Sequence, residues 1–208
     1  MPNRPFLPND AVLLEQLLAG DEQAFTQLVR VYHGKLRYLA RSIVGEAYAD
    51  EVVQETWLAV LKALSGFEAR SSLKTWIFRI LSNTAHSRLR GEIRSTPAGD
   101  LINEDKHAFP ATRFDTSGHW KTPPLPWHAE TPEALLASDQ LRQCLEKTLA
   151  VLPVSQRTVI VLRDIEGMPM AEVCNILGVH ETNARVLLHR ARTRLRAVIE
   201  AYERGQGC

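Results

Sequence analysis

Apolar side chains recur every three or four positions through most of residues 10 to 92, and no stretch of strict alternation lasts beyond a few residues. That period belongs to helices, not strands. Phe25, Leu28, Tyr32, Leu36, Leu39 and Ile43 predict one amphipathic helix, with Asp21 placed to cap its N-terminus. After Gly45, ADEVVQETWLAVLKAL repeats the pattern with Val53, Trp57, Val60, Leu61 and Leu64 turned inward, and Ser65-Gly66 ends it. Its opposite face carries Asp50, Glu51, Gln54 and Glu55. A third helix, LKTWIFRILSNTAHSRLRGE, begins at Ser71 or Ser72, both good caps, and puts Leu73, Ile77, Ile80 and Leu81 inside.

From about residue 95 to 132 the period is lost, and the stretch holds six prolines among scattered polar residues. A structureless segment this long does not belong inside a compact domain, so it reads as a flexible linker between two. The helical signal returns from Glu133, with Leu141, Leu145, Leu149 and Leu152 in register until Pro153. Ser155 is placed to cap QRTVIVLRDIEG, which Gly167 closes; AEVCNILG is short and ends at Gly178, and a long helix then runs to about Tyr202. The fold class is all-α: helical domains over 10–95 and 133–206, joined by the linker 96–132.

Short helix, glycine-bearing turn and longer helix make the helix-turn-helix plan, in which the second helix enters the major groove of DNA. At about 100° per residue, Ala184, Leu188, Ala191, Leu195 and Val198 fall on one stripe, facing the domain's own core. Thr182, Asn183, Arg185, Val186, His189 and Arg190 then occupy the outward side, where guanidinium forks reach guanine edges or phosphates. Arg192, Arg194 and Arg196 follow, placed for phosphates or for the protein's own acids. Between positions 182 and 199 there are five arginines and no acid, so setting those five aside takes the formal charge of +1 to −4 for the rest of the chain. Positive charge is therefore concentrated on this helix. The plainer reading is an arginine-rich solvated face, but that requires neither the short preceding helix nor the clean apolar stripe.

Composition removes other classes. With 208 residues and 45% hydrophobic content the chain can fill a core, and no apolar run approaches the roughly 20 residues that cross a bilayer. The reading is of a soluble, cytoplasmic protein. Cys144, Cys174 and Cys208 are too few and too scattered for a disulfide framework or a paired zinc site; the first two read as core thiols and the last as exposed. No phosphate-binding glycine loop, nucleophile elbow or H-E-x-x-H occurs, and His107, His119 and His128 fit no ligand spacing. No enzymatic activity, cofactor, metal or small-molecule substrate is expected.

The segment LPVSQRTVIVLRDIEGMPMAEVCNILGVHETNARVLLHRARTRLR resembles region 4 of the extracytoplasmic-function class of bacterial sigma factors. AFTQLVRVYHGKLRYLARSIVGEAYADEVVQETWLAVLKAL, with SSLKTWIFRILSNTAHSRLR, resembles their region 2, and the order is the family's. The resemblance implies a subunit that binds core RNA polymerase, recognises minus-35 duplex DNA with region 4 and opens the minus-10 element with region 2. It implies that Asp50, Glu51, Gln54 and Glu55 dock on the clamp helices of the polymerase's largest subunit. It also implies that Trp76 and Asn83, seven residues apart on one helix face, capture bases leaving the stack, with Arg79 and Arg88 near them and Arg70 and Lys74 on phosphates. Trp76 reads equally well as a core residue. An anti-sigma factor, often anchored in the inner membrane in this family, is the further partner implied.

The match has departures. Glu68 and Arg70 reverse the charge order common in the loop before the third helix, Pro169 stands where a serine or threonine cap is usual, and Leu187 takes a position that is often basic. His180 replaces the usual cap of the recognition helix, where a charged imidazole opposes the helix dipole. Without region 2, the last third alone fits a free-standing helix-turn-helix regulator, and without DNA binding the chain fits an all-α scaffold.

Overall fold

The computed structural model describes residues 8–95 and 139–205. The linker with its three histidines, the helix onset at Glu133, and Cys208 lie outside the described residues. Among the described residues the secondary structure is helical throughout, with no strand. They divide into two compact units. One joins 8–95 to Val161–Glu181; the other joins 139–160 to 182–205.

In the first unit, α1 (Pro8–Leu18) precedes α2 (Glu22–Val44), α3 (Glu46–Ala63) and α4 (Leu73–Ser95), with a short 3-10 turn, Leu64–Gly66, after α3. The side chain of Asp21 caps α2, accepting from the amides of Gln23 (2.8 Å) and Ala24 (3.2 Å). Gly45, at φ 82°, gives the chain the left-handed backbone that separates α2 from α3 and is the single residue between them. Ser72 caps α4, its Oγ accepting from the Thr75 amide at 3.1 Å.

Helices α2, α3 and α4 pack on one another around Leu28, Leu36, Leu39, Ile43, Val53, Trp57, Val60, Ile77, Phe78 and Leu81, all buried. Phe25 meets Trp57, and Tyr32 meets Phe78, edge to face. Leu61, expected inside, is instead 49% exposed beside Leu58 at 52%. The apolar arc of α3 is wider than its packed face, and Leu61 falls at its rim.

Two further pieces complete this unit. A π-type turn, Val161–Ile165, is closed by the Glu166 amide on the Val161 carbonyl at 2.9 Å and by Arg163 Nη1 on the Met168 carbonyl at 2.7 Å. The next helix is Met170–Leu177, numbered α7 here because two helices of the second unit precede it in the chain: α5 (Asp139–Val151) and α6 (Val154–Ile160). Helix α7 packs against α4 and buries Val173 and Ile176. It ends at Gly178, φ 66°, whose amide returns to the Cys174 carbonyl at 2.8 Å.

In the second unit Leu141 of α5, Val159 and Ile160 of α6, and Ala184, Leu188 and Ala191 of α8 (Glu181–Glu203) are buried. Helix α6 starts at Val154, directly after Pro153, so Ser155 lies inside it and does not cap it. Cys144 is fully buried but disulfide-bonded, which corrects its reading as a reduced core thiol; Cys174 is a free, half-buried thiol.

Candidate nucleic-acid interface

Helix α8 presents the two faces that its periodicity requires. Ala184, Leu188 and Ala191 are buried and Leu195 and Val198 half-buried, while Thr182, Asn183, Arg185, Val186, His189, Arg190 and Arg192 are all exposed. An apolar residue as exposed as Val186, at 43%, sits amid these polar groups where a thymine methyl could meet it.

Helix α4 and the loop before it form a second surface. Trp76 is half-buried, which answers the choice between core and surface with some of each. Its ring lies 4.9 Å from that of Phe67, tilted by 48°. Phe67 carries no role in the sequence reading; an aromatic in a loop rich in small and charged residues was the signal available. Both rings keep part of their surface exposed, as a stacking platform for an unpaired base requires. Asn83 is exposed on the same helix, two turns on. Between Phe67 and the Ser72 cap, Ala69 holds a left-handed backbone at φ 54°, and Arg70 is ion-paired with Glu68 two residues back.

The remaining cations of this surface are engaged. Lys74, half-buried, lies 5.5 Å from the Phe78 ring centroid and donates to the Glu166 carbonyl at 3.1 Å. Arg79 Nη1 donates to Asn175 Oδ1 at 3.1 Å. Arg88 turns the other way, over the Tyr48 ring at 5.0 Å, and grips Glu51 through two hydrogen bonds of 2.9 Å. A residue expected on minus-10 DNA and one expected on the polymerase are thus joined to each other.

On α3, Asp50, Glu51, Gln54 and Glu55 are all exposed. Arg37 Nε donates to Asp50 Oδ1 at 2.7 Å, and this hydrogen bond holds the Asp50 carboxyl below its ordinary value. Gln54 and Glu55 lie one turn further on, followed by the exposed Leu58 and Leu61, so the face continues as an acidic and amide patch edged by apolar surface.

Comparison with known proteins matches residues 28–95 to Sigma-70 region 2 and residues 142–195 to Sigma-70, region 4. The ECF RNA polymerase sigma-E factors of Salmonella typhimurium and Escherichia coli are each 32% identical to the chain over 183 residues, covering 88% of it and 90% of theirs. That of Haemophilus influenzae is 30% identical over the same length. Among solved structures, CnrH in complex with the cytosolic domain of CnrY superposes with a TM-score of 0.57 at 25% identity, covering 92% of this chain and 97% of that one. The sigma factor RpoE in complex with the anti-sigma factor NepR, from Bartonella quintana, gives 0.59 at 24% identity, covering 85% and 96%, a likeness of fold. With both regions matched in order and the relatives aligned over nearly their whole length, the chain belongs to the ECF family of RNA polymerase sigma factors.

Proposed function

We propose that the chain binds core RNA polymerase and directs transcription from a promoter of its own specificity. The observation that carries this reading is the pairing, in one chain and in family order, of an exposed arginine-bearing helix with a half-exposed aromatic platform. The first suits the major groove, the second an unpaired base. Thr182, Asn183, Arg185, Val186, His189, Arg190 and Arg192 read the minus-35 duplex. Phe67, Trp76 and Asn83 take minus-10 bases as they leave the stack, with Arg70, Lys74 and Arg79 on the strand. The exposed acids and amide of α3 dock on the clamp helices of the largest polymerase subunit; Gln54 and Glu55 are the more available, because Asp50 and Glu51 are already paired with Arg37 and Arg88. The domain boundaries 10–95 and 133–206 describe the parts that engage DNA, with 96–132 as the linker.

Anti-sigma control is part of the proposal, because structural neighbours were solved with the anti-sigma factor NepR and with CnrY bound. Among the described residues no helix is long and apolar enough to cross a membrane. Purified chain added to core polymerase is expected to start transcription from members of a promoter library. Silence across the library, together with tight duplex binding by the chain alone, returns the reading to a free-standing regulator.

A further inference from the structure

Val186 is the residue of α8 that points most directly away from its seat. At about 100° per residue it lies within about 15° of the direction opposite the mean of the buried Ala184, Leu188 and Ala191. Arg190 stands about 55° from that direction on one side and Arg185 about 85° from it on the other. In the first turns of the helix, which meet base edges when such a helix enters the major groove, the guanidinium groups therefore flank the centre line and an isopropyl group occupies it. The helix gives no reason of its own for that choice. Val186 is 43% exposed and so little packed, and a β-branched side chain restricted at χ1 is a poorer helix former than alanine, leucine or arginine. A single exposed apolar group is ordinary on a protein surface, but one centred between arginines, on a face proposed to enter a groove, has a counterpart there.

Base-pair edges in the major groove carry donors, acceptors and one methyl group, on C5 of thymine. Against a donor or acceptor the valine side chain desolvates the edge and returns no hydrogen bond; against the methyl it buries apolar surface on both partners. We infer that α8 reads a C5-methyl group with Val186, so that the chain distinguishes thymine from uracil at one step of its minus-35 element and, at the same step, 5-methylcytosine from cytosine. The methyl occupies the same place on both pyrimidines. Valine does not tell the O4 acceptor of thymine from the N4 donor of 5-methylcytosine; that distinction falls to the hydrogen-bonding neighbours one turn away, Thr182, His189 and Arg190. A promoter with cytosine at that step is then strengthened by C5-methylation, a covalent mark that changes neither base pairing nor charge.

The inference rests on the assignment of α8 to the minus-35 duplex, and the experiment separates the two. The chain assembled with core polymerase selects duplexes from a library randomised over the minus-35 element, and each thymine of the selected sequence is replaced in turn by deoxyuridine. At one position the replacement is expected to weaken binding about fourfold, the factor that about 0.8 kcal/mol for a buried methyl-sized group gives. Val186→Ala, which alters an exposed side chain, is expected to bind the thymine and deoxyuridine duplexes alike there. Arg185→Ala is expected to weaken both and keep their ratio. With the wild-type chain, cytosine at that position should bind more weakly than thymine, and 5-methylcytosine should recover about fourfold over cytosine. Three results overturn the inference and leave the assignment of α8 standing: no position sensitive to deoxyuridine, a ratio that survives in Val186→Ala, or equal binding of cytosine and 5-methylcytosine. Failure to select any sequence defeats the assignment and the inference with it. Should Val186→Ala not fold, the two modified bases tested on the wild-type chain decide by themselves.

Discussion

Trp76 is the residue on which the reading of α4 turns, because half of its environment is packing and half is exposed ring. Its contact with Phe67 keeps the indole in one orientation, and the exposed part remains for a base, a stacking interaction worth about 1–3 kcal/mol. Trp76→Ala is therefore expected to lower the permanganate reactivity of minus-10 thymines in the promoter complex while binding to core polymerase holds. Phe67→Ala is expected to do the same to a smaller degree. If Trp76→Ala instead abolishes the cooperative melt, the packing half of its role dominates and the platform is lost as an explanation. Asp50 offers a second test at this scale. Its carboxyl is held below the ordinary 3.8 by the Arg37 hydrogen bond, so it binds its proton more weakly folded than unfolded. The stability this gives is present above the unfolded value and lost as pH falls through the folded one. A carbon-detected titration should place the Asp50 midpoint below 3.8, and Arg37→Ala should move it back up.

At the scale of the element, α8 separates a buried seat from an exposed face, the one proposed to read DNA, and mutation should separate them too. Leu188 is 6% exposed, and Leu188→Ala should cost about 2–5 kcal/mol in urea unfolding through the cavity it leaves. Arg185→Ala and Arg190→Ala change exposed side chains and should affect the melt far less, yet each should weaken minus-35 recognition by about 1–3 kcal/mol where the guanidinium grips a guanine with two hydrogen bonds. Unchanged promoter binding in both removes the reading face from α8. This division was legible in the sequence, because a period of 3.6 fixes which residues share a side before any neighbour is known. The caps at Asp21 and Ser72 were legible for the same local reason: a short oxygen-bearing side chain ahead of an apolar period meets the first free amides. What periodicity cannot supply is the identity of the covering surface. It counted Leu61 as inward although the packed face of α3 stops short of it, and it gave no sign that Val161–Glu181 joins the N-terminal helices. The π-type turn at Val161–Ile165 was hidden likewise, since a wider turn leaves the residue pattern unchanged.

For the whole molecule, the distribution of charge separates the two surfaces proposed for the partners. A chain basic throughout would hold the helix proposed to face polymerase against DNA; with five arginines on α8 and an acidic and amide patch on α3, the proposed partners would be attracted to different surfaces. Within that patch the structure ranks the residues. Asp50 and Glu51 are held by Arg37 and Arg88, so a polymerase cation must compete with an existing partner for either, whereas Gln54 and Glu55 are exposed beside Leu58 and Leu61. Exposed leucines at the edge of a polar patch are the composition of an interface, with apolar contact contributing affinity and charge guiding approach. Glu55→Lys is accordingly expected to slow association with core polymerase most at low salt, the defect shrinking as the Debye length falls from about 30 Å at 0.01 M to about 8 Å at 0.15 M. Leu58→Ala should instead speed dissociation and lose the same factor at every salt concentration, because burial of a methyl-bearing side chain is not screened. Stopped-flow association and competition with a labelled chain distinguish the two. If neither variant changes its rate, the α3 face is only solvated surface and the docking assignment fails.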